Sequence, residues 1–75
     1  MNQNNEETRK DRFRRVATRR TNEILNRIRI LGNCSNKSAY NYTEEDIQKI
    51  FYAIEKELRS TRARFAKIRK NKFKL

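Results

Sequence analysis

Seventy-five residues with 39% charged and 35% hydrophobic side chains, one glycine and no proline or histidine leave room for one small domain with little core. Twenty Lys and Arg against nine Asp and Glu give a net charge of +11, which points to polyanionic partners: nucleic acid before an anionic membrane surface. No apolar run approaches the roughly 20 residues of a membrane span. The N-terminal residues lack the apolar centre of a secretory signal, and a single cysteine forms no internal disulfide, so a reducing cytoplasm is the expected location.

Residues 1–6 read as a polar tail. A first helix is expected over 7–31, because Phe13, Ala17, Ile24, Ile28 and Leu31 recur on one face of a 3.6-residue helix, with Arg20 and Thr21 as a polar gap. Glu6 and Glu7 suit its N-terminus. Its end is expected at Leu31, with Gly32 in the left-handed conformation that terminates helices.

The connector, 32–42, combines turn-forming Asn and Ser with two tyrosines and the lone Cys34. It resembles an active-site loop only superficially. Cysteine catalysis needs a base to form thiolate, usually histidine, and zinc needs three or four ligands; the chain supplies neither. Three matches to the N-glycosylation pattern, at Asn33, Asn36 and Asn41, follow from asparagine-rich turns and need a secretory context to mean anything. The expected role is structural, with Asn and Ser bonding loop backbone and the tyrosine rings capping the core. Partner recognition is the minority reading.

The second helix is expected over 43–70. Thr43 followed by Glu44, Glu45 and Asp46 is an N-cap with an acidic first turn. Ile47, Phe51, Ile54, Leu58, Thr61, Phe65, Ile68 and Lys72 then alternate steps of four and three, a heptad seam that is apolar except at Thr61 and Lys72. Residues 71–75 read as a basic tail. Two helices of roughly 25 residues, about 37 Å each, joined by eleven residues suggest an all-α, single-domain antiparallel hairpin. A lone hairpin is marginal, so a homodimer or a docked partner is expected.

The charge is concentrated at two places. Residues 8–20 (TRKDRFRRVATRR) sum to +6 and residues 59–75 (RSTRARFAKIRKNKFKL) to +8, whereas 21–58 sum to −1. An antiparallel hairpin joins the two basic segments into one end of +14. The candidate phosphate-binding residues are Arg9, Arg12, Arg15, Arg19, Arg20, Arg59, Arg62, Arg64, Lys67, Arg69, Lys70, Lys72 and Lys74. Arginine suits this role because its planar fork makes two bonds to a phosphate at once. Phe73 and Leu75 could stack on bases; a basic amphipathic helix on an anionic membrane is the weaker reading of the same stretch. The apolar residues follow the opposite gradient and form a packed handle at the connector end. Leu25 and Ile30 lie off the main stripe, so Leu25, Ile30, Asn36, Tyr40 and Tyr42 are the candidate partner-binding residues.

The segment from Arg19 to Leu58, with its pattern LGNCSN…Y.YT..DI.KIF.AIE..L, resembles small basic proteins of unknown function from bacterial phages and mobile elements. The resemblance covers some forty residues and carries no activity or site. It implies an accessory protein acting on host or phage nucleoprotein. The arginine run is similar in composition to helical peptides that enter RNA grooves, and the hairpin to ribosomal proteins that lay basic helices on folded RNA, a likeness of architecture alone.

No P-loop, no magnesium-holding carboxylate cluster among the basic segments, and a connector too long for a helix-turn-helix argue against an enzyme or a sequence-specific DNA reader. The leading expectation is therefore a non-enzymatic, cofactor-free protein that grips the phosphate backbone of RNA, favoured over DNA, or of a nucleoprotein complex. The alternative is a phage or mobile-element modulator that inhibits one host protein, such as an RNA-guided nuclease or another nucleic-acid enzyme.

Overall fold

The computed structural model describes residues 6–66. These form two α-helices joined by a short 3-10 helix and a turn, with no strand among them: α1 spans Arg9–Gly32, the 3-10 helix Asn33–Ser35, and α2 Glu44–Ala66. The all-α expectation holds. The chain divides after Tyr40 into two units, the first containing α1 and the second α2.

Helix α1 starts two residues later than its charge pattern suggests. Thr8, with extended backbone at φ −77° and ψ 169°, caps the helix. The Asp11 amide donates to Thr8 Oγ1 at 3.0 Å. The Thr8 amide donates in return to Asp11 Oδ2 at 3.4 Å. This reciprocal box satisfies two of the amides that a helix start leaves without intrahelical partners. Glu6 and Glu7 therefore precede the helix rather than form its first turn.

At the other end the expectation about Gly32 is overturned. Gly32 has φ −58° and ψ −24°, right-handed helical values, and no described residue has positive φ. Instead of reversing, the backbone tightens. The Asn33 amide donates to the Ile30 carbonyl, three residues back, and the 3-10 turn runs on to Ser35. Tightening into i→i+3 bonds is the other way a helix end uses up its last carbonyls, and it needs no glycine. The chain turns at Asn36, where ψ opens to 104°.

Helix α2 begins as expected. The Asp46 amide donates to Thr43 Oγ1 at 3.0 Å, and the Thr43 amide donates to Asp46 Oδ2 at 2.9 Å. The expected continuation of α2 through Lys70, and the basic tail beyond it, lie outside the described residues.

No described residue is buried. Within their own helices, Ile24, Leu25, Ile28, Ile30, Ile50 and Phe51 are exposed, and Leu31, Ile47 and Ile54 are half-buried. The reason is geometric. A helix presents its apolar stripe outward and can bury it only against another surface.

Candidate nucleic-acid interface

The cap at Thr8 places a dense basic segment on the first three turns of α1. Arg9, Lys10, Arg12, Arg14, Arg15, Arg19 and Arg20 are all exposed, and Asp11, the segment's one acid, is engaged in the capping box. Arg12, Arg15 and Arg19, at spacings of three and four, share one face, while Phe13 and Ala17 lie on another. The stripe of one helix thus carries the apolar contacts, and the guanidinium groups project from the remaining surface.

One of these arginines is already occupied. Glu7, just before the cap, receives both arms of the Arg15 fork: Nε at 2.7 Å to Oε2 and Nη2 at 3.1 Å to Oε1. This bidentate bond holds the Glu7 carboxyl below its ordinary value, helped by the charges of Arg15 and Arg12, and raises Arg15. Glu7 presents to Arg15 the geometry that a phosphate would. The spacing of eight residues crosses the cap and exceeds the three or four that make neighbours on a helix, so sequence pattern could not have revealed the pair.

In the second unit Arg59, Arg62 and Arg64 are exposed along the last two turns of α2. Lys67, Arg69, Lys70, Lys72 and Lys74, with Phe73 and Leu75, lie outside the described residues. Sequence reasoning passed over Lys10 and Arg14, which extend the α1 segment, and Tyr52. Tyr52 is 62% exposed. It stands off the α2 stripe, one turn before Lys56 and two before Arg59, so an aromatic ring and two cations share a face. An aromatic residue that breaks the heptad pattern was the available signal.

The connector residues fall into two groups. Asn36 organises the loop: its Oδ1 accepts from the Ser38 amide at 3.0 Å, and its carbonyl from the amides of Ala39 and Tyr40 at 3.1 and 3.0 Å. This is the Asx-turn chemistry that makes asparagine common in turns, and it commits the Asn36 side-chain oxygen to the fold. Tyr40 is exposed and Tyr42 half-buried, and Leu25 and Ile30 remain exposed on α1. Cys34 is an exposed free thiol in the 3-10 helix. Among the described residues no group of three or more His, Cys, Asp or Glu could hold a metal ion, and no helix is long and apolar enough to cross a membrane.

Compared with known proteins, the chain matches no family model, no curated protein and no solved structure.

Proposed function

We propose that this protein is a non-enzymatic nucleic-acid-binding protein that grips the phosphate backbone, RNA or a nucleoprotein in preference to bare duplex DNA. The observation that carries this reading is the first half of α1. Seven exposed basic side chains there face a single acid, and of the seven only Arg15 closes an ion pair among the described residues. Such a density of uncompensated cations costs folding free energy through self-repulsion unless a polyanion lies against it. Arg59 carries the basic surface on to α2, where Arg62 and Arg64 are also exposed. An antiparallel arrangement of the two helices brings both basic segments to one end of the molecule, away from the connector.

The contacts are electrostatic and made to phosphate, so they position the protein without reading base sequence. Preference for RNA rests on the arginine-rich character of α1, since guanidinium groups both fork onto phosphates and stack on the splayed bases of structured RNA. The test is capture of tagged protein from its native cells, with half of the lysate treated with nuclease. Co-purifying nucleic acid that disappears with nuclease supports the reading. One host protein that survives nuclease in near-equal amount overturns it.

The second reading, a phage or mobile-element modulator of a host protein, draws on the exposure of Leu25, Ile30 and Tyr40 near the connector. Substitution of Tyr40 or Leu25 by Ala abolishes activity without changing nucleic-acid affinity if this reading holds.

A further inference from the structure

Along the heptad seam of α2, Ile47, Ile54 and Thr61 are half-buried, and Leu58 is 65% exposed. The residues that border this seam say what covers it. Glu55 and Arg62 each directly follow a seam residue, at Ile54 and Thr61, so they lie along one flank. Glu57 and Arg64 each directly precede one, at Leu58 and Phe65, so they lie along the other. Each flank therefore carries one acid, and one base a heptad further on. In coiled helices these flanking positions select the partner and its orientation.

We infer that α2 pairs with α2 of a second copy of this chain, antiparallel, in the register that sets Ile54 against Phe65 and Leu58 against Thr61 of the partner subunit. When two identical helices run antiparallel, each flank meets the same flank of its mate. In this register Glu55 meets Arg62 and Glu57 meets Arg64, and the two-fold symmetry repeats both, giving four attractive pairs around the seam. The neighbouring register, shifted by one heptad, sets Ile47 against Phe65 and brings Glu55 against its own copy and Glu57 against its own copy. Like charges therefore exclude the alternative that the apolar residues alone would permit.

The same charges choose the orientation. Arg59, Arg62 and Arg64 put three cations and no acid on the last two turns of α2. A parallel dimer would lay two such segments side by side, whereas the antiparallel dimer sends them to opposite ends. It also opposes the two helix dipoles. In the dimer Arg62 and Arg64 face carboxylates, so phosphate contact falls to Arg59 and the α1 arginines. The inference does not rest on nucleic-acid binding and is tested without it.

The experiment is sedimentation equilibrium of the full chain, freed of nucleic acid, at moderate salt. The expected mass is about twice the 9.2 kDa of the monomer. Glu55→Arg alone tests orientation, since a parallel pair sets Glu55 against Ile50 rather than Arg62. Two charge-reversed chains then test the flanking pairs: one with Arg62→Glu and Arg64→Glu, the other with Glu55→Arg and Glu57→Arg. Each alone places like charges at all four pairs and weakens self-association at least about tenfold. Mixed in equal amounts, the two chains restore every pair and recover a dimer, which shows that both remain folded. A monomeric wild-type chain, self-association unchanged by either pair of substitutions, or a mixture that fails to recover a dimer overturns the inference.

Discussion

Replacing Gly32 with alanine discriminates between two ways of ending α1. Gly32 sits at φ −58° and ψ −24°, and a Cβ added there meets nothing within 4 Å. With no steric cost, only two effects remain. Alanine has the higher helix propensity, and it narrows the ensemble of the unfolded chain. Gly32→Ala is therefore expected to stabilise α1 by about 0.5–1 kcal/mol, nearer the lower figure at a terminal position. A left-handed Gly32 gives the opposite sign, because alanine in that conformation costs roughly 1–2 kcal/mol. The assay is thermal and urea unfolding followed by far-ultraviolet circular dichroism. Amide exchange at Asn33 supplements it, since that N–H bonds to the Ile30 carbonyl. Destabilisation by about 1 kcal/mol or more, with faster exchange at Asn33, would refute the right-handed termination.

Three further outcomes follow from the same geometry. Glu7→Gln weakens the bidentate hold on Arg15 and removes a negative charge, so the dependence of log K on log salt for duplex binding should steepen by about 0.9, with tighter binding at low salt; fluorescence anisotropy reads both. Arg12→Ala with Arg19→Ala, on the face away from the stripe, should flatten that slope by about 1.8 and leave the helical dichroism unchanged. The Asp46 carboxyl is held below its ordinary value of 3.8, first by the Thr43 amide and then by the Thr43 hydroxyl and the charge of Lys49. A depressed carboxyl stabilises the fold above its unfolded pKa and ceases to do so as pH falls through the folded value. Fraying at the start of α2 should therefore set in below about pH 3.8, seen in the amide shifts of residues 44–47, and Asp46→Asn should remove the dependence.

How much was legible depended on whether the determinant was local. The start of α2 was readable because Thr43 and Asp46 stand three apart and act on each other's backbone. The start of α1 used the same device at Thr8 and Asp11, but Glu6 and Glu7 offered a competing signal just before it, and Glu7 instead pairs with Arg15. Gly32 misled because glycine permits left-handed backbone without requiring it; the 3-10 turn that replaces it depends on backbone bonds any residue could make. The amphipathic stripes were legible from their spacing, but a stripe does not say what covers it. The Arg15–Glu7 pair was hidden because its partners are eight residues apart across the cap, whereas the basic character of the α1 segment was plain from composition, though not the parts of Lys10 and Arg14 in it.

The central claim is that the α1 arginines hold phosphate. The most direct test is the affinity of the wild-type chain for a structured RNA between 50 and 200 mM salt. If about 6–10 phosphates are neutralised, affinity should fall by about 10³–10⁵ across that range. An affinity that hardly changes would mean that the cations are not at the interface, and the claim would fail.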